Sequence, residues 1–136
     1  MIKLAVAGSP ISHSLSPLLH TTAYELLGVQ ATFSTEELTD LDFGEFYFKA
    51  KASGYRGLAL IMPLKEISIG FVDRVDPVAK QISSINTIIF ESTGSIGLST
   101  DLMAFKSLLK PYFGKRIGIL GAGGTARAAI GALKGT

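Results

Sequence analysis

Cysteine is absent from this 136-residue chain, which removes any disulfide framework and any thiolate metal site and fits a reducing compartment. Histidine is scarce as well: His13 and His20 have no third ligand at metal spacing, so no metal centre is expected. No apolar run approaches the roughly 18 residues of a membrane span. The opening stretch from Met1 to Gly8 is too short in its apolar run for a secretory signal and leads into turn residues, so a soluble, cytoplasmic protein is expected. A block of one charge is lacking too. The 13 basic and 11 acidic residues give a net +2 and are scattered, so neither nucleic acid nor a membrane surface is expected as a partner. There is no internal repeat, no low-complexity segment and no Gly-Lys-Ser/Thr triphosphate loop.

What is present suits a packed core: 47% of residues are hydrophobic and 18% charged, over the length of one ordinary domain. Apolar segments with strand character alternate with helical periodicity. Lys3 to Ala7 is a short buried strand closed by Gly8-Ser-Pro10. Ser16-Pro17 then reads as an N-cap and first helical residue, and Leu18, Leu19, Ala23, Leu26 and Leu27 recur at helical spacing until Gly28.

The pattern repeats with a strand from Ala31 to Thr35, a helix from Phe43 to Ala52 and a strand from Gly57 to Met62. A short helix over Lys65 to Val72 and another turn from Asp76-Pro77 follow. Ile85 to Phe90 and Ser95 to Leu98 form an expected hairpin, and Asp101 to Leu109 a helix. This order predicts an α/β fold: a three-layer, open, mostly parallel sheet with helices on both faces. The expected organisation is a first unit over residues 1–101, a connecting helix and linker over 102–115, and a second unit from 116 to 136.

That last stretch reads as the first strand, turn and helix of a dinucleotide-binding (Rossmann) unit which the 136 residues do not complete. A strand from Arg116 to Leu120 leads into Gly121-Ala122-Gly123-Gly124-Thr125-Ala126 and a helix from Thr125 to Lys134. Glycines let the backbone approach a pyrophosphate, whose charge amide groups and the positive end of a helix then meet. A tight connection without ligand is the plainer alternative.

Three further positions carry candidate chemistry. Ser14 and Ser16 offer two hydroxyls at a helix entry, a seat for a carboxylate, although capping explains such serines equally well. Lys65 follows Pro63 at a strand end, the edge where open parallel sheets bind ligands. Asp101 begins a helix at another strand end, where an N-cap role would also account for it.

Together these motifs resemble those of the shikimate dehydrogenase family, in order, over almost the whole chain. The stretch Pro10-Ile-Ser-His13-Ser14-Leu-Ser16-Pro17-Leu-Leu-His20, then Pro63-Leu64-Lys65, Asn86-Thr87, Thr100-Asp101 and the turn from Gly121 carry the likeness. The resemblance implies a substrate carboxylate bound by Ser14 and Ser16, Lys65 and Asp101 as catalytic residues, and Asn86 with them in the substrate site. It also implies NADP held by Gly121 to Ala126, and interconversion of 3-dehydroshikimate and shikimate in aromatic amino-acid biosynthesis. A lysine can exchange a proton with an alcohol as hydride leaves or reaches its carbon, while a carboxylate orients both.

The pattern is not complete. Ala59 and Ile61 stand where the family usually has asparagine and threonine, Ser99 where asparagine commonly precedes Thr-Asp, and Thr21 where asparagine follows His20. Leaving ring hydroxyls unpaired at the first two positions costs on the order of 1–3 kcal/mol each. Such a site suits a less hydroxylated or related substrate, quinate among them, or a non-catalytic carboxylate-binding or interaction module on the same scaffold. Family members continue into a full cofactor domain and return to the first, so apolar surface around Ile117, Ile119 and the terminal helix is expected to be exposed here and to promote homo-oligomers.

Overall fold

The structure, a computed structural model, describes residues 1–134. Six strands form one sheet in the order β2-β1-β3-β5-β6-β4. Strand β1 (Ile2–Gly8) pairs in parallel with β2 (Ala31–Glu37) on one side and β3 (Tyr55–Leu60) on the other. The hairpin of β5 (Thr87–Glu91) and β6 (Gly94–Leu98) joins β3 in antiparallel sense, and β4 (Arg74–Val75) lies parallel to β6. The expected mixed, mostly parallel α/β sheet is therefore present.

Ala5, Val6 and Ala7 are all buried, so β1 is covered on both faces. On one face Ala5, Ala7, Leu58 and Leu60 pack with Phe43, Tyr47 and Ala50 of α2 (Phe43–Ala52). Leu64 of α3 (Leu64–Ile67), Ala79 of α4 (Pro77–Ile82) and Ile85, Ile88 and Phe90 complete that core. Because side chains alternate along a strand, Leu4, Val6 and Ala59 turn to the other face. There they line a cavity together with residues of α1 (Ser16–Leu27) and α5 (Thr100–Leu109). A second, smaller cluster joins Ile82, Leu102 and Ala128, tying α6 (Gly124–Leu133) to α4 and α5.

Several expectations are corrected. Residues 116–120 have no strand partner among the described residues and stay irregular, since a strand exists only by pairing. The expected helix over Lys65 to Val72 is the single turn α3 followed by a 3₁₀ turn, Ser68–Gly70. Strand β2 runs on to Glu37, β3 begins at Tyr55, and the two-residue β4 carries no alternation to announce it. Ser16 is not the N-cap of α1: Leu15 holds that position without a side-chain cap, and the Ser16 amide donates to Ser14 Oγ at 3.3 Å. None of the residues of α1 is buried, so its leucines do not form the core stripe their spacing implies.

The terminal helix is covered on one side only: Ala128 and Ala132 are fully buried, while Ile130 on the same helix and Ile117 and Leu120 before it are exposed. No helix among the described residues is long and apolar enough to cross a membrane.

Candidate active site

The site forms where β3, β5 and β6 end together. Asn86, just before β5, is clamped through its backbone: its carbonyl accepts from the Leu60 amide at 2.8 Å and its amide donates to the Leu98 carbonyl at 2.9 Å. Lys65, on the turn that follows β3, is held the same way, its carbonyl accepting from the Ile85 amide at 2.8 Å. Thr100 and Asp101 sit in the first turn of α5, directly after β6. Lys65 and Asp101, 36 positions apart, are thus fixed by ladder ends rather than by flexible loops.

Their side chains form one network. Lys65 Nζ donates to Asp101 Oδ2 at 2.7 Å, and Asn86 Nδ2 donates to Asp101 Oδ1 at 2.8 Å and to Thr100 Oγ1 at 2.7 Å. The Asn86 oxygen accepts from the Thr100 amide at 2.9 Å and from the Thr87 hydroxyl at 3.1 Å. An acceptor-only carboxylate on one side and a backbone N–H on the other leave a single orientation for the Asn86 amide. The ion pair is largely shielded, with 16% of the Lys65 and 26% of the Asp101 side chain exposed. The first turn of a helix also favours the carboxylate charge. Asp101 therefore orients Lys65 instead of capping α5; the cap position belongs to Ser99, whose side chain makes no cap bond.

Lys65 and Ile61 line two cavities at once. The first, about 500 Å³, lies under α1 and is lined by Ser16, His20, Arg56, Asn86, Thr87, Thr100 and Asp101 as well as by Leu4, Val6, Phe33 and Ala59. The Ser16 hydroxyl has no protein partner among the described residues and opens onto this space, whereas Ser14 does not line it. Arg56 lies outside the sequence motifs, and His20 closes the serine-containing stretch without a role assigned to it there. His20 stacks on Phe33 with ring centroids 4.2 Å apart and shares a hydrogen bond with the Tyr24 hydroxyl at 3.2 Å.

The second cavity, about 850 Å³, lies between the end of β3 and the glycine turn. Gly121, Gly123, Gly124, Thr125 and Ala126 line it; Ala122 does not. Gly121 adopts φ +120°, a conformation that favours glycine, and α6 starts at Gly123 without a side-chain cap. An uncapped helix start beside a glycine turn fits a pyrophosphate. The turn is docked on this network: Lys65 Nζ also donates to Thr125 Oγ1 at 3.3 Å, and Arg127 pairs with Glu66 at 2.9 Å. A Cβ at Gly124 would lie 2.5 Å from Ser84 Oγ and 2.9 Å from Lys65 Cβ, so only glycine allows this approach.

Comparison with known proteins points the same way. The family pattern of the shikimate dehydrogenase substrate binding domain matches residues 6–88. The chain is 40% identical over 134 residues to a shikimate dehydrogenase (NADP(+)) of Moorella thermoacetica, covering 96% of this chain and 45% of that protein. A Bacillus cereus relative of the same name is 38% identical over 128 residues, covering 90% and 46%. Among solved structures, shikimate 5-dehydrogenase from Thermus thermophilus in complex with shikimate superposes with a TM-score of 0.86 at 33% identity, over 99% of this chain and 53% of that one. The chain thus spans about half the length of these relatives.

Proposed function

The chain belongs to the shikimate dehydrogenase family, and on that footing we propose that it binds a small hydroxylated carboxylate and serves NADP-dependent interconversion of 3-dehydroshikimate and shikimate. The observation that carries this reading is the position of Lys65: paired with Asp101, it stands in the wall shared by a substrate-sized cavity and the glycine-turn cavity. A proton donor is needed where a hydride acceptor and a hydride source meet.

In the proposed reduction, the Lys65 ammonium donates a proton to the keto oxygen of the substrate as that carbon accepts hydride. The reverse reaction returns the proton to the amine. Asp101 keeps Nζ aimed at the reacting oxygen and accepts from the substrate hydroxyl. The Ser16 hydroxyl, lacking a protein partner among the described residues, donates to the substrate carboxylate, with Ser14 behind it fixing the Ser16 backbone. NADP, held at Gly121 to Ala126, supplies the hydride when bound. Gly57 and Ala59 keep the floor of the cavity low beneath the ring.

We read the unit over residues 1–101 as the substrate-binding domain, 102–115 as connection and 116–136 as the start of the cofactor domain. Support comes from the main apolar cluster, confined to residues 5–90, while the smaller cluster of Ile82, Leu102 and Ala128 joins the three. A cytoplasmic setting is proposed with it, in keeping with the absence of cysteine.

Titration of the 136-residue chain with shikimate and quinate, followed by ligand-observed NMR, tests the reading. Ser16→Ala and Lys65→Ala each remove a charge-assisted hydrogen bond, so binding weakens roughly tenfold or more in both while circular dichroism stays unchanged. Equal binding by the wild type and both variants would contradict it.

A further inference from the structure

The cavity under α1 is divided in a way that specifies its occupant more closely than the family does. Its polar side is almost self-satisfied. Both protons of the Asn86 amide nitrogen are given to Thr100 and Asp101, and its oxygen receives the Thr100 amide and the Thr87 hydroxyl. Lys65 spends two of its three protons on Asp101 and Thr125. What remains beside the reacting centre is one Lys65 proton and the unused lone pairs of Asp101, enough for one hydroxyl or keto oxygen.

Around Ala59 and Ile61 the opposite wall offers no polar side chain; Arg56, three residues before Ala59 on β3, is the polar residue of that strand lining the cavity. Val6 and Ala59 are direct neighbours in the β1–β3 register, Ile61 follows Ala59 on the same side of the chain, and Leu4 and Phe33 continue the surface. Ala59 lies opposite Thr87 across the β3–β5 pair, and the Thr87 proton is already given to Asn86. Ring hydroxyls placed against Ala59 and Ile61 lose water and gain no side-chain partner there.

We propose that this site selects a carboxylate carrying one reactive hydroxyl or keto group on an otherwise hydrocarbon ring, in preference to a polyhydroxylated one. The proposal rests on the substrate site read above but replaces shikimate by a less hydroxylated cyclic carboxylate as its preferred ligand, with Ala59 and Ile61 as the residues that set the preference. An apolar pocket discriminates against an added hydroxyl by about a hundredfold at most, so a preference of roughly tenfold to a hundredfold is expected.

The test compares dissociation constants of shikimate and of 3-hydroxycyclohex-1-ene-1-carboxylate, its analogue without the other two ring hydroxyls, for the 136-residue chain. The wild type binds the analogue at least tenfold tighter, and Ala59→Asn with Ile61→Thr shifts the preference toward shikimate. The single variant Ala59→Asn, which fills only cavity space, shows part of that shift if the double variant folds poorly. Equal or tighter binding of shikimate by the wild type overturns the selectivity while leaving the substrate site intact. Absence of binding of either ligand by the wild type and by both variants overturns the site itself, and the selectivity with it.

Discussion

Lys65 and Asp101 show how a residue's role depends on what surrounds it. Taken singly, one reads as a surface lysine and the other as a helix cap. At 2.7 Å from each other, with Asn86 locking the second carboxylate oxygen, they become a fixed ion pair, to which the proposed function gives the handling of the proton. A different carboxylate, Asp73, contributes to the pH dependence of stability. Asp73 accepts from Lys51 Nζ at 3.0 Å and from the hydroxyl and amide of Ser95. The Lys51 hydrogen bond, then those from Ser95, hold its carboxyl below the ordinary 3.8. A carboxyl depressed in the folded state binds protons more readily when unfolded. Its contribution is therefore complete above the ordinary carboxylate range and is lost as pH falls through the lower folded value. Asp73→Asn is expected to lower the urea midpoint at about pH 6, with the deficit narrowing toward about pH 3. A deficit that widens on acidification would refute that assignment.

At the scale of elements, the strands and helices that pack on both sides are legible because each carries a plain signal: the apolar run of β3, the proline-started α4 and the glycine-ended α1. Asp76 caps α4 as its position implies, accepting from the amides of Val78 and Ala79. What is not legible depends on partners distant in sequence. Residues 116–120 have strand composition yet no strand beside them among the described residues, and β4 is too short to show a pattern. The leucines of α1 have core spacing, but the helix turns Ser16 and His20 to the cavity and leaves the leucines exposed. The site follows the same rule. His20, Lys65, Asn86, Asp101 and the glycine turn are marked by motif order, whereas Arg56 reaches the cavity through β3 and carries no local signal. Strand ends also explain Gly8, which closes β1 at φ +145°; a Cβ there would lie 2.3 Å from Ile61 Cγ1 and 2.6 Å from the Met62 carbonyl oxygen. Gly8→Ala is expected to destabilise the chain by about 2–4 kcal/mol through backbone strain and overpacking, read from chemical denaturation. A loss under about 1 kcal/mol would show that β1 and β3 can part without cost.

For the molecule as a whole, one face remains apolar and open. Leu18, Leu19, Leu26 and Leu27 of α1 are 66%, 66%, 82% and 75% exposed, a larger surface than that at Ile117 and Leu120. The 136-residue chain alone is expected to self-associate with rising concentration in sedimentation velocity, and Leu26→Lys with Leu27→Lys to weaken that association. Leu120→Lys is expected to have a smaller effect. A monomer at every concentration, or association that only Leu120→Lys removes, would place the sticky surface elsewhere. The proposed function rests on a smaller region, the pocket built where β3 and β6 end and β5 begins, in which we propose that a cyclic hydroxy-carboxylate lies against Lys65, Asn86 and Asp101. Backbone amide shifts during titration with 3-hydroxycyclohex-1-ene-1-carboxylate test this most directly. Movement confined to Ser16, Lys65, Asn86 and Asp101 and their neighbours is the predicted result, and movement centred on Lys51 and Asp73, away from the pocket, or none at all, would contradict it.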